Sequence, residues 1–287
     1  MSLVLPARAR ASAALVLAGV LWGTGGLAGS LLGRLAGLHP LAVADYRLLV
    51  GGAVAIVLSK GAFPRTPEAA KRIFAVGGLF ALFQASYFAA VALSSVSVAT
   101  MTTIGAAPVV VTLASVRKLR RWTLVSVTGS LAGLALLQWS PGEAISFGGL
   151  GFALLAAAGF ATLTLVTAKP VDGLDPLATT AFGCLTGGLL LLPVASWSGM
   201  AIPLHADVLA VVCYLGAVPT AVAYAAYLRG LADAHPVLGA LSAVLEPLTA
   251  AVLSAVLLGE RLSGTAWCGA AVLVGALAVG YWRPEPR

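Results

Sequence analysis

The stretch GLHPLAVADYRLLVGG, Gly37 to Gly52, returns later in the chain as GLDPLATTAFGCLTGG, Gly173 to Gly188. Glycine, leucine, proline, leucine, alanine, an aromatic residue, leucine and a Gly-Gly pair recur at matching spacing. Each copy stands near the start of one half of an almost wholly apolar chain. Internal similarity of this kind divides the sequence into two units, residues 1–140 and residues 141–287.

Composition says where such units live. The chain is 60% hydrophobic and 9% charged, against about 25% charged residues in soluble domains. Too few charges exist to cover a water-facing surface. Apolar runs of the roughly twenty residues needed to cross a bilayer recur throughout. Ten spans are expected, at 12–32, 41–58, 73–93, 96–115, 122–139, 147–168, 176–196, 207–228, 236–258 and 265–282. They leave no room for a soluble domain. The first follows Arg8 and Arg10 but is longer than a signal-peptide core and lacks a cleavage site, so it is read as structure.

Charge sets the orientation. With the N-terminus in the cytoplasm, the inner loops and ends receive Arg8, Arg10, Lys60, Arg65, Lys71, Arg72, Arg117, Lys118, Arg120, Arg121, Lys169, Arg229, Arg283 and Arg287. The outer side receives only Arg34 and Arg261, and Arg47 stays within a span. This asymmetry places both termini in the cytoplasm of a cell inner (plasma) membrane protein. The net charge of +7 therefore orients the chain in lipid, and nucleic acid is not expected as a partner. Five spans per half is an odd number, so the second half enters from the opposite face. The expected fold is an all-α integral membrane protein of ten transmembrane helices, arranged as two inverted five-helix repeats. Such repeats are the usual build of a secondary transporter.

Several residues stand out against this background. Pro108 and Pro247 occupy equivalent places in the two halves. Each removes an N–H donor and displaces the carbonyl four residues earlier, at Ile104 and Ala243. They are read as hinges or as simple kinks. Glu246 lies deep in the ninth span, where a charged carboxylate is costly. It either serves structure, by pairing with Arg47 or capping broken helix backbone, or lines a wet cavity and links to protons. Polar and aromatic residues near span centres form a candidate substrate cavity: Trp22, Thr24, Gln84, Tyr87, Met101, Thr103, Tyr214, Tyr224 and Ser242. Such a lining suits a small amphipathic solute. The rows Gly25/Gly29/Gly33, Gly129/Gly133 and Gly183/Gly187 are read as close helix contacts.

Enzymatic readings find no support. His39, His205 and His235 fall at span ends, Asp45 has no partner aspartate, and no phosphate-binding loop occurs. Cys184, Cys213 and Cys268 stand singly without metal-ligand spacing. Neither a cofactor nor a metal is expected. The oligomeric state is left open, a monomer included.

With these motifs placed, the chain resembles the EamA-type ten-helix exporters of the drug/metabolite transporter superfamily. The resemblance rests on Leu21-Trp22-Gly23, Tyr46-Arg47-Leu48-Leu49, Thr220-Ala221-Val222-Ala223-Tyr224, and the run from Leu245-Glu246-Pro247 to Leu258-Gly259-Glu260-Arg261-Leu262. Within the family it is most similar to YddG-like aromatic amino-acid exporters. The resemblance implies a substrate cavity between the halves, with helices five and ten at the periphery. Three positions depart from the pattern. Arg117 to Arg121 replace a Gly-Glu-Arg turn, Ala107 replaces the acid that would match Glu246, and Phe160 stands where a Trp is common. The expected function is export of amino acids, aromatic or bulky and apolar, or related metabolites by alternating access. A proton-coupled multidrug exporter is the second reading, and a non-transporting membrane scaffold or receptor the third.

Overall fold

The computed structural model describes residues 6–60, 63–115, 120–139 and 146–283. Residues 117–119 of the basic loop and the two extreme ends fall outside that description. Helices run at α1 (Ala7–Ala36), α2 (Pro40–Leu58), α3 (Pro67–Leu93), α4 (Val96–Ser115), α5 (Arg121–Leu137), α6 (Phe147–Thr167) and α7 (Pro176–Trp197). They continue at α8 (Ala206–Gly216), a π-helical segment (Ala217–Val222), α9 (Ala223–Asp233), α10 (Pro236–Ala243), α11 (Leu245–Leu257) and α12 (Gly264–Trp282). Counting α8 to α9 and α10 to α11 as single passages, nine helices among the described residues are long and apolar enough to cross a membrane. The remaining expected span forms α5, whose 17 residues reach about 26 Å at ~1.5 Å per residue.

The repeated sequence now has a local cause. Gly37 and Gly173 both adopt left-handed backbone, with φ of 64° and 76°, a conformation that costs glycine little. Two residues on, the side chains of His39 and Asp175 cap α2 and α7, and Pro40 and Pro176 occupy the first helical position. His235 and Pro236 start α10 in the same way. Gly, cap and Pro are thus one turn-and-start device used twice.

The Gly-Gly ends of the repeats do the packing. A Cβ on Gly52 would meet Leu185 at 2.7 Å, and one on Gly188 would meet Leu49 at 2.6 Å. These contacts are reciprocal, and they run α2 antiparallel to α7. The same exchange holds further out: Gly51 sits against Thr220 and Gly216, while Gly187 sits against Phe80 and Gly77. On the larger pattern, α1 packs along α8 to α9 as α6 packs along α3, and α5 pairs with α12. A Cβ added to Gly133 would lie within 2.9 Å of Leu273 and the Gly269 carbonyl, so the α5 glycine row serves this internal contact.

The bundle is apolar outside and polar in places within. Phe74, Leu113 and Val256 are about 70% exposed, at 69%, 71% and 73%, whereas Asp45, Gln84, Thr164, Thr180 and Ser242 are buried. Trp139, Trp197, Trp267 and Trp282 are exposed near helix ends, where amphipathic rings sit at a membrane–water boundary.

Candidate functional site

Two close helix crossings bring the site together. At Gly19 and Gly23, α1 approaches the α10–α11 junction so closely that added Cβ atoms would lie 2.1 Å from the Ser242 carbonyl and 2.5 Å from Thr249. Trp22 is carried inward on this crossing. Opposite it, Pro247 has no N–H to give, and the helix breaks at Val244 between α10 and α11. Glu246 consequently falls in the first turn of α11, where the helix dipole favours negative charge. Pro108 behaves differently, remaining inside an unbroken α4.

The second crossing is α2 against the π-helical segment, made possible by Gly51 and Gly216. It places Arg47 beside that segment. Arg47 Nε donates to Thr220 Oγ1 at 3.2 Å and Nη2 donates to the Pro219 carbonyl at 3.4 Å. Thr220 Oγ1 in turn donates to the Leu215 carbonyl at 2.8 Å. Pro219 explains the π geometry: without its N–H the backbone register widens, and Arg47 and Thr220 satisfy groups that the wider turn exposes. Among the described residues no ion pair joins Arg47 to Glu246; the two line one chamber instead.

That chamber encloses about 70 Å³ and is lined by Trp22, Arg47, Phe83, Gln84, Tyr87, Phe88, Thr100, Thr103, Ile104, Phe160, Tyr224, Ala243 and Glu246. Ile104 and Ala243, whose carbonyls lose partners to Pro108 and Pro247, are both on its wall. Arg47, Tyr87, Phe88 and Glu246 also border a larger vestibule of about 390 Å³. The vestibule extends past Gly25, Gly26, Gly29, Ser30 and Gly33 to Arg34, Leu38 and Pro40. Its wide end is therefore the end of the bundle carrying the α1–α2 connection.

The other end is sealed. Trp22 packs on Phe160, Tyr224 and Tyr227 with ring centroids 5.9, 5.1 and 4.9 Å apart. Phe80 meets Tyr224 edge-on at 4.7 Å, and Tyr227 Oη shares a 2.6 Å hydrogen bond with Thr164 Oγ1. Beyond this aromatic layer, Arg72 at the start of α3 donates to the carbonyls of Val166 and Lys169 at the end of α6.

Of the residues named from sequence, the chamber unites Trp22, Gln84, Tyr87, Thr103, Tyr224, Arg47 and Glu246. Thr24 and Tyr214 lie elsewhere, on a lateral apolar recess of about 510 Å³ between α1, α8 and α11. Met101 packs against the core, and buried Ser242 donates to the Gly239 carbonyl at 2.7 Å. The Gly25/Gly29/Gly33 row, read as a close helix contact, is not one throughout. An added Cβ would meet its nearest neighbour at 3.0, 3.5 and 3.6 Å respectively, and at Gly26 would meet nothing within 4 Å. Phe83, Phe88, Thr100, Ile104, Phe160 and Ala243 complete the wall without having been named as cavity residues. Tyr87 and Gln84, three residues apart on one face of α3, were the signal available for the α3 wall.

Hydrogen bonding decides which groups are free to act. Thr103 Oγ1 donates to the Ala153 carbonyl at 3.1 Å, and Tyr87 Oη pairs with Thr100 Oγ1 at 2.7 Å. Trp22 Nε1 and Gln84 Nε2, by contrast, are buried without a partner. Asp45 also has both carboxylate oxygens buried and unpartnered, but it is not on the wall of the chamber or the vestibule.

Comparison with known proteins places this geometry. Residues 147–281 match the EamA-like transporter family. Over 281 residues, covering 95% of this chain and 94% of the relative, the sequence is 29% identical to the uncharacterized transporter YwfM of Bacillus subtilis (strain 168). A protein known from a crystal structure shares the fold with a TM-score of 0.80 at 24% identity, covering 94% of this chain and 97% of that one. The chain is a multi-pass membrane protein whose residues 147–281 are similar to the EamA-like transporter family.

Proposed function

We propose that this protein is a secondary carrier that exports amino acids with aromatic or bulky apolar side chains, or related small metabolites, by alternating access. The observation that carries the reading is the reciprocal packing of α2 and α7, with a chamber that meets the vestibule at one end and, among the described residues, an aromatic layer at the other. Residues 1–140 and 141–287 act as inverted repeats, with α5 counted as a tenth span because it pairs with α12. Antiparallel α2 and α7, the equivalent helices of the two units, support that inversion. With both termini cytoplasmic, the vestibule faces outward and the Arg72 contact closes the inner face of the plasma membrane. Trp22, Gln84, Tyr87, Thr103 and Tyr224 receive the substrate, and flexing at Pro247, with Pro108 opposite, exchanges the open end.

Purified protein in liposomes should move labelled amino acids without ATP. Absence of flux for every amino acid and metabolite tested would end the proposal. A proton-coupled multidrug exporter is the second reading, favoured by the acid Glu246 on the chamber wall. It requires that Glu246→Gln change both transport and its pH dependence.

A further inference from the structure

We propose that the chamber is a two-charge site for the head group of an α-amino acid, in which Arg47, Trp22 Nε1 and Gln84 Nε2 hold the carboxylate and Glu246 holds the ammonium. The inference rests on the carrier reading and assigns its recognition chemistry. Arg47 and Glu246 line the same 70 Å³ space, yet the guanidinium spends its observed hydrogen bonds on Thr220 and Pro219. A charge in a largely apolar enclosure needs a counter-charge, and here each pole is offered one by a ligand rather than by the other pole.

The unpartnered donors point the same way. Trp22 and Gln84 are 4% and 2% exposed, and their Nε1 and Nε2 atoms lack acceptors. Buried donors are nearly always satisfied, so an acceptor-rich ligand group belongs beside them. The remaining polar wall groups, Tyr87 with Thr100 and Thr103 with Ala153, satisfy one another or the backbone. Selectivity therefore falls on four groups. A monocation would meet Arg47 and a monoanion would meet Glu246 without compensation; a zwitterion meets neither penalty. The space suits a head group of a few heavy atoms, a volume that would otherwise hold several waters. It continues past Phe88 into the vestibule, where Val91, Val96 and Leu215 provide apolar walls for a side chain.

The test uses the full chain purified in detergent and three radiolabelled probes that share a phenyl group. These are L-phenylalanine, 2-phenylethylamine, which lacks the carboxylate, and 3-phenylpropionate, which lacks the ammonium. Both truncated probes should bind at least about 100-fold more weakly than L-phenylalanine, as expected for a site left with unpaired polar groups. Arg47→Gln should weaken L-phenylalanine and 3-phenylpropionate but strengthen 2-phenylethylamine, which no longer meets a like charge. Glu246→Gln should weaken L-phenylalanine and 2-phenylethylamine but not 3-phenylpropionate. Trp22→Phe keeps an aromatic side chain and removes the indole N–H. It carries the carboxylate test should Arg47→Gln fail to fold, and it should then weaken L-phenylalanine and 3-phenylpropionate but not 2-phenylethylamine. Equal binding of the three probes, or losses that ignore which charge the probe carries, would overturn the assignment. If liposomes carry another solute while no probe binds, the head-group assignment fails and the carrier reading stands. If nothing moves and nothing binds, both fail.

Discussion

A methyl group added to Gly19 and one added to Gly26 should have opposite consequences, although the two glycines lie on the same helix. At Gly19 the methyl would be forced against the Ser242 backbone, 2.1 Å away, whereas at Gly26 it would enter open space. Overpacking of a close contact costs about 1–3 kcal/mol, and replacing a free helical glycine by alanine gains up to ~1 kcal/mol. Thermal unfolding in detergent should therefore show Gly19→Ala lowered and Gly26→Ala unchanged or raised. Sequence could identify glycines in a span but could not say which of them touch anything. The same blindness explains the candidate site. Arg47 and Glu246 are legible because a charge in a span is rare, and Trp22, Gln84 and Tyr87 because polar tips near a span centre need partners. Thr24 and Tyr214 have the same credentials but lie on the far side of their helices. Helices apolar around their whole circumference give no phase from which to tell an inward face from a lipid-facing one. Phe83 and Phe88 escaped for the converse reason, since an apolar wall residue reads like any lipid-facing one.

The elements repeat this lesson at their interruptions. Pro108, Pro219 and Pro247 all lie inside expected spans, yet they yield a continuous helix, a π-helical segment and a break. What differs is the neighbour that meets the freed backbone. Thr220 and Arg47 serve the π segment, and α1 closes on the α10–α11 junction through Gly19 and Gly23. Thr220 is local, but Arg47 and α1 come from the other half of the chain and are invisible locally. Thr220→Val preserves shape and removes both hydroxyl contacts, so it should cost ~1–3 kcal/mol in unfolding measurements, the penalty of unpaired buried groups. An unchanged unfolding midpoint would mean that Arg47 and Leu215 find other partners. The Arg72 contact on the end of α6 is a second long-range device. Helix C-termini attract cations, and here the cation belongs to α3, so it ties the two halves at the sealed end. In a background with Cys213 and Cys268 replaced by serine, Thr167→Cys should label slowly with a thiol reagent. Adding Arg72→Ala should accelerate that labelling, and equal rates in both backgrounds would remove Arg72 from the closure.

Taken whole, the molecule closes at one end and parts at the other, and α1 records the change along its length. Distances to an added Cβ widen from 2.1 Å at Gly19 and 2.5 Å at Gly23 to 3.0 Å at Gly25, 3.5 Å at Gly29 and 3.6 Å at Gly33. The repeat made the matching starts of α2 and α7 readable, and the apolar runs placed the helices. Which end stood open was not readable, because both ends of α1 are equally rich in small residues. Only clearance separates them. A carrier that alternates must also visit the arrangement in which the vestibule has collapsed, and some surface must then fit together as tightly as Gly19 does now. The spacing of Gly25, Gly29 and Gly33 is that of a helix-contact row without, in this arrangement, a close partner along its full length. On the proposed alternating cycle, the looser fit at Gly29 and Gly33 is a reserved seat: the imprint of a neighbour that arrives only in the opposite phase. Gly29→Val should accordingly leave binding from the open side intact and stall net transport, whereas unimpaired turnover would show that the seat is never taken.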